Sequence, residues 1–310
     1  MIVKVTSPSF SKNGLLKQEL REKFPSSVFN DQGLRYSKDE LIHFLRDADA
    51  AIIGLEHIDS NVLDACPNLK MISKYGVGLN NLDLPACKKR NVQIGWTGGV
   101  NKLSAAEMTL GFMIALSRNL FRSSFRLKSN EWKKEGGYQL TGKTVGIIGV
   151  GHIGKEVVRL LEPFKTNILV NDIINQDEYY NKNGLVKASK ETIYKQADII
   201  TVHTPLTKKT KHLINREVFA MMQPSSFIIN CARGPIINQS DLKFALMESS
   251  IAGAALDVYE DEPPSDIEFL QLPNLICTPH IGGNSQEAVL AMGRSAIAHL
   301  ISFRAERLDK

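Results

Sequence analysis

The stretch Thr144-Val-Gly-Ile-Ile-Gly149-Val-Gly151-His152-Ile153-Gly154 sets three glycines in the spacing G-x-G-x-x-G directly after an apolar run. The chemistry open to that spacing is the binding of a pyrophosphate. Gly149 permits a tight turn out of a strand, and Gly151 lets the backbone approach the phosphates. Gly154 lets the next helix pack closely, with its N-terminal N–H groups offered to the anion. Alone, the triplet is a weak signal. It gains weight from a second apolar run, Asn167–Asn171, which ends at Asp172, 18 residues beyond Gly154. A carboxylate there can accept hydrogen bonds from both adenosine ribose hydroxyls and would repel a 2′-phosphate. Ile173 and Ile174 follow it instead of an arginine, so NAD is expected in preference to NADP.

Those residues need a sheet to hold them at one edge. Short β-branched runs alternate with helical patterns almost throughout, as in parallel sheets covered by helices. The first expected series of strands is 2–6, 50–55, 70–74 and 92–96, with amphipathic segments at 15–23, 38–45 and 61–66. The second is 144–148, 167–171, 198–203, 226–230, 253–258 and 275–278. Between them one helical stretch is expected from about 103 to 127, its start fixed by a capping box of Ser104 and Glu107. A last helix, 285–303, would return the chain to the first domain and make that domain discontinuous.

Composition bounds the rest. A chain of 310 residues has room for two domains, and 43% hydrophobic with 23% charged residues suits an ordinary soluble globular protein. The net charge of +5 comes without a dense Lys/Arg block, so no nucleic-acid partner is expected. Cys66, Cys87, Cys231 and Cys277 stand far apart, which argues against a zinc site or a disulfide framework and suits a reducing cytoplasm. The N-terminus lacks a signal-peptide pattern, and no run of about 18 apolar residues exists, so no membrane span is expected.

The remaining motifs, taken in order, resemble the D-isomer-specific 2-hydroxyacid dehydrogenase family over nearly the whole chain, from about 54 to 283. Lys74-Tyr75-Gly76-Val77-Gly78-Leu-Asn80-Asn81-Leu-Asp83 is similar to its substrate loop, and Asn101-Lys-Leu-Ser104-Ala-Ala-Glu107 to its interdomain helix start. His203-Thr204-Pro205-Leu206-Thr207 resembles the segment bordering the cofactor. Asn230-Cys231-Ala232-Arg233-Gly234, Ala255-Leu-Asp257-Val-Tyr-Glu260-Asp-Glu262-Pro263 and Thr278-Pro-His280-Ile-Gly282-Gly resemble its three catalytic blocks.

The resemblance implies two doubly wound parallel-sheet domains. One is a Rossmann NAD-binding domain over 100–283, and the other a discontinuous flavodoxin-like substrate domain from 1–99 and 284–310. It implies cofactor contacts at Gly149, Gly151, His152, Ile153, Gly154, Asp172, His203, Thr204, Pro205, Thr207, Cys231, Ala232, Asp257 and Gly282. Substrate contacts fall on Lys74, Tyr75, Gly76, Val77 and Gly78, and the catalytic set is Arg233, Glu262 and His280. The chemistry of the residue types agrees. Reducing a 2-oxo acid needs a hydride at the carbonyl carbon and a proton at its oxygen. A histidine, with an ordinary pKa near 6.5, suits the proton. A glutamate bonded to it would stabilise its charged form, and an arginine fork would grip the carboxylate. In the substrate loop the glycines would turn backbone N–H groups of Val77 and Gly78 towards an anion.

Some positions depart from the family pattern. Asn80-Asn81 stands where Asp-Asn is common, and Asn238 where Asp is usual, though Asn still caps a helix. Gly54-Leu-Glu56-His57 lacks the arginine that phosphoglycerate dehydrogenases tend to place near this loop. The chain ends soon after the return helix, so the regulatory domain of longer relatives is not expected. The expected function is an NAD-dependent D-2-hydroxyacid dehydrogenase, foremost phosphoglycerate dehydrogenase-like, with a glyoxylate or hydroxypyruvate reductase as the alternative. An NAD(H)-sensing corepressor-like binding protein is the alternative from another class. A homodimer is expected, with the segment 119–138 and its Phe121, Phe125 and Trp132 as apolar material for it.

Overall fold

The structure is a computed structural model and describes residues 1–308. The chain divides into two compact units. One joins Met1–Asn101 to the segment from Asn284, and the other is Lys102–Gly283.

The first unit is built on five parallel strands: β1 (Val3–Val5), β2 (Val28–Phe29), β3 (Ala50–Ile53), β4 (Met71–Lys74) and β5 (Gln93–Gly95). Their order is β2-β1-β3-β4-β5, a doubly wound arrangement with its reversal between β1 and β3. β1, β3 and β4 are buried along their whole length, as expected of strands covered by helices on both faces. The C-terminal helix, Gln286–Leu308, sends Met292, Ala296, Leu300 and Phe303 into this core at helical spacing. Its fit is close. A Cβ at Gly293 would lie 2.4 Å from Leu16, and Ser73 Oγ donates to Ala296 O at 2.8 Å.

The second unit carries seven parallel strands: β6 (Thr144–Ile148), β7 (Asn167–Asn171), β8 (Val186–Lys187), β9 (Ile199–Val202), β10 (Phe227–Asn230), β11 (Gly253–Leu256) and β12 (Leu275–Cys277). They run in the order β12-β11-β10-β9-β6-β7-β8, so the winding reverses between β6 and β9. In register, Ile148 faces Val202, Val202 faces Asn230, Asn230 faces Leu256 and Leu256 faces Cys277. Parallel strands in that register bring the residues that follow them to one edge of the sheet: Gly149, His203, Cys231, Asp257 and Thr278. The crevice at a winding reversal on this edge is where such sheets bind ligands.

Several expectations are corrected. β2 and β8 were not foreseen; each is a two-residue edge strand, too short to show a periodicity. The helix expected from 103 to 127 is two helices, Lys102–Ser117 and Leu120–Lys128, broken where Asn119 takes φ 52°. The break is imposed from outside the helix. Tyr138 N donates to Ser117 O at 2.7 Å and Arg118 Nε to Gly136 O at 2.8 Å, so the returning chain takes the last carbonyl. Ser104 and Glu107 form no capping box at its start. The helix already begins at Lys102, and Ser104 Oγ donates to Gly282 O at 2.7 Å. The last helix runs to Leu308, past the expected end at 303. Among the described residues no helix is long and apolar enough to cross a membrane, and no group of three or more His, Cys, Asp or Glu could hold a metal ion.

Candidate active site

The glycine loop follows β6. Gly149 takes φ 95°, and a Cβ there would lie 2.7 Å from the His203 carbonyl, so the loops after β6 and β9 meet with no room for a side chain. A Cβ at Gly154 would lie 2.2 Å from Gly149 O, which requires glycine where the helix His152–Leu161 packs on the turn. Nothing lies within 4 Å of a Cβ at Gly151, so that position opens outward at the helix N-terminus. His152 is exposed and Ile153 half-buried.

Asp172, just past β7 and expected as a ribose contact, also has a local task. Its Oδ2 accepts from Val150 N at 2.6 Å and its Oδ1 from Ile174 N at 2.8 Å. It therefore anchors the glycine loop, aided by Gln176 Nε2 donating to Val150 O at 3.1 Å. On the far side of the crevice, His203 Nδ1 and Thr204 Oγ1 are buried and have no protein partner. Buried polar atoms ordinarily find partners. Two without one, beside an outward glycine and a helix N-terminus, fit a polar cofactor lying across β6 and β9. Pro205 and Thr207 continue that rim and are exposed.

The three catalytic candidates all sit on the same edge of the second unit. After β10, Asn230 is fully buried and staples its own loop. Its Nδ2 donates to Arg233 O at 2.9 Å, and its Oδ1 accepts from Ala232 N at 2.9 Å. Cys231 and Ala232 are buried beneath, and burial pushes the Cys231 thiol up to about 12, so it stays protonated. Arg233 is half-buried, and its Nη1 donates to Ala232 O at 2.6 Å. Burial works against its charged form and the Glu262 charge works for it.

His280 Nδ1 lies 2.7 Å from Glu262 Oε2. Burial pushes the Glu262 carboxyl up, but the hydrogen bond and charge of His280, the Tyr259 N–H and Arg233 together hold it below its ordinary value. An ionised carboxylate only accepts, so Nδ1 carries the shared proton and Nε2 is the nitrogen left for a substrate. His280 adopts φ 54°, a left-handed conformation uncommon for a side chain of its size. Asp257 secures it there. Its carboxylate, 1% exposed, accepts from Thr278 Oγ1 at 2.6 Å, Ile281 N at 2.8 Å and Gly282 N at 2.7 Å. Asp257, expected as a cofactor contact, thus anchors the loop of His280.

The expected substrate loop belongs to the first unit. Lys74 is buried, and its Nζ donates to Gly54 O and, at 2.9 Å, to Asn81 Oδ1. Tyr75 turns inward: its ring meets Phe10 edge-on and its hydroxyl lies 3.2 Å from Ser9 Oγ, so its side chain is core. Gly76 takes φ 130°, Val77 O accepts from Trp96 Nε1 at 2.9 Å, and Gly78 is half-buried. Glu56 is engaged within the unit, accepting from Thr6 Oγ1 at 2.7 Å and Gly54 N at 2.8 Å.

Residues 110–282 match the family model of the D-isomer-specific 2-hydroxyacid dehydrogenase NAD-binding domain. The chain belongs to that family. It is an NAD-dependent oxidoreductase of the kind that acts on a CH–OH group, and its NAD-binding domain contains the glycine loop, the buried orphan atoms of His203 and Thr204, and the Arg233, Glu262 and His280 edge. A glyoxylate reductase of Thermococcus onnurineus is 35% identical over 303 residues, 94% of this chain and 90% of that one. A D-3-phosphoglycerate dehydrogenase of Methanocaldococcus jannaschii is 39% identical over 262 residues, 83% of this chain but 50% of that protein, so the chain spans half the length of that relative. The crystal structure of the TT0316 protein of Thermus thermophilus has TM-score 0.86 at 30% identity, covering 97% of this chain and 94% of that one.

Sequence reasoning missed the residues that hold these groups. Asn230 and Tyr259 lie inside the quoted blocks without having been assigned a role, and Gln176 lies in none. Tyr259 is buried, donates its N–H to Glu262 Oε1 at 3.2 Å and its O–H to Thr278 O at 3.0 Å, and so ties the acid's loop to the histidine's. Its position two residues past Asp257 was the one available signal.

Proposed function

We propose that the chain is an NAD-dependent D-2-hydroxyacid dehydrogenase in which Arg233 binds the substrate carboxylate and His280 exchanges the proton of the 2-oxygen. The observation that carries this is the 2.7 Å contact of His280 Nδ1 with Glu262 Oε2, on the sheet edge that also presents Arg233. NAD(H), when bound, supplies or takes the hydride. Glu262 keeps Nδ1–H pointed at itself and so presents Nε2, and its negative charge stabilises the imidazolium that donates during reduction. Arg233 offers a fork of donors to a carboxylate. Gly149, Gly151 and Gly154 shape the phosphate contact, and Asp172 is the ribose contact that favours NAD over NADP. Val77 and Gly78 are proposed as backbone contacts to the anionic substrate.

For the substrate we infer an unphosphorylated 2-oxo acid such as glyoxylate or hydroxypyruvate, ahead of a phosphorylated one. Lys74 donates to Gly54 O and Asn81 Oδ1, and Glu56 adds negative charge within the same unit. A cation engaged in this way beside a carboxylate favours a substrate without a phosphate. The exposed apolar side chains over 120–138 support a homodimer, and the four free cysteines suit a reducing cytoplasm.

The test is NADH oxidation with a panel of 2-oxo acids, phosphohydroxypyruvate included. Turnover of at least one is expected, highest with the small acids. His280→Ala should then cut turnover by about 10²–10⁴-fold while NADH still binds. Folded protein that binds NADH but reduces none of the acids would overturn the reading.

A further inference from the structure

His212 lies outside the three blocks that carry Arg233, Glu262 and His280, and the proposed chemistry makes no use of it. Its contacts nevertheless reach two of those loops. It adopts φ 51°, a left-handed conformation. That turn aims its backbone N–H at Pro235 O, 2.8 Å away and two residues past Arg233. Its Nε2 lies 2.9 Å from Glu260 Oε1, two residues before Glu262. The same Glu260 oxygen accepts from Gln239 N at 3.3 Å. Around these contacts, Ile214 N donates to Ile236 O at 3.1 Å and Asn238 N to Ile214 O at 2.8 Å, so the stretches on either side of Arg233's turn are paired. The two loops also touch directly. A Cβ at Gly234 would lie 1.8 Å from Tyr259 O, a backbone contact with no slack.

We propose that His212, acting through Glu260, is a positioning residue that fixes the Glu262 loop against the Arg233 loop. It thereby sets the separation between the carboxylate grip and the proton donor. The proposal rests on the dehydrogenase reading of the same edge. A pair whose side chains are 38% and 32% exposed adds little to stability, so its effect is geometric. The backbone of His212 braces one loop and its imidazole the other, so one residue registers both. Among the described residues, losing His212 leaves Glu260 only the long bond from Gln239. The segment 260–262 can then shift, and Glu262 with it.

The experiment compares wild type with His212→Ala, His212→Gln and Glu260→Ala. It measures kcat and KM for reduction of the best 2-oxo acid, NADH affinity by fluorescence, and melting temperature. Both alanine variants should lose about 10-fold in kcat/KM, inside the roughly 100-fold that a misplacement of about 1 Å can cost. The oxo acid KM should rise while NADH affinity holds. His212→Gln, whose amide can donate in place of Nε2, should recover most of the loss. Wild-type KM and kcat in both alanine variants would overturn the proposal. So would losses that track NADH affinity and melting temperature together, the mark of a merely structural role. If His212→Ala does not fold, Glu260→Ala reads the same contact. An active wild type with unaltered variants defeats this proposal alone; a wild type inactive on every 2-oxo acid defeats the dehydrogenase reading as well.

Discussion

The ring of His203 has one nitrogen, Nε2, 2.9 Å from Thr201 Oγ1 and the other, Nδ1, buried without a protein partner. Burial pushes its pKa down to about 4, although the residue as a whole keeps some surface. The ring is therefore neutral at pH 7. Between an ordinary histidine value of about 6.5 and about 4, the unfolded chain binds a proton that the folded chain refuses. The stability at stake is complete above the upper value and is lost as pH falls towards the lower one. Thermal melts from pH 7 to pH 4.5 should show the wild type losing melting temperature more steeply than His203→Asn. Parallel slopes would contradict this assignment. The pattern His203-Thr-Pro marks a bordering segment, yet no sequence pattern says which nitrogen is buried. Asp257 teaches the same lesson. A strand-end aspartate is visible in the sequence; that its two oxygens hold the 278–282 loop is settled only by the fold.

At the scale of elements, the glycine loop separates two reasons for lacking a side chain. Gly154 abuts its own turn, with 2.2 Å from a built Cβ to Gly149 O, whereas a Cβ at Gly151 meets nothing within 4 Å. Gly154→Ala should destabilise the fold by about 1–3 kcal/mol, the usual range for overpacking, and weaken NADH binding as a consequence. Gly151→Ala should keep the wild-type melting temperature and lose NADH affinity by about 10-fold or more, about 1.4 kcal/mol of contact with the phosphates. Calorimetric melts and NADH titration of both variants test the contrast, and it fails if Gly151→Ala binds as wild type. The spacing, together with the flanking apolar runs and Asp172, makes this loop legible in the sequence. β6 and β9 to β12 were legible as well, since each is a mostly apolar run buried in the sheet. The break at Asn119 was not, because it depends on Gly136 and Tyr138 returning from 18 and 21 residues away to take contacts at Arg118 and Ser117.

For the whole molecule, the parallel α/β character follows from β-branched runs alternating with amphipathic ones, and the edge on which the site residues gather follows from the parallel register. The segment expected from the sequence to join two copies, 119–138, contains the helix Leu120–Lys128. That helix buries none of its nine residues. Isolated helices of that length are marginal in water, so tertiary or intermolecular cover is needed to hold it. Phe125 is 73% and Trp132 76% exposed, and Leu120, Phe121, Leu127 and Tyr138 are exposed beside them in sequence. Exposed apolar side chains gathered in one segment mark an interaction surface more often than a bare one. A second copy of the chain is the simplest cover, because identical segments can bury one another across a twofold axis. Light scattering at micromolar concentration should then give about twice the 34.4 kDa chain mass. Phe125→Glu combined with Trp132→Glu should shift the mass to that of one chain and lower the melting temperature, since the helix loses its cover. A wild-type mass of one chain across the concentration range would rule the dimer out and leave this segment to a different partner.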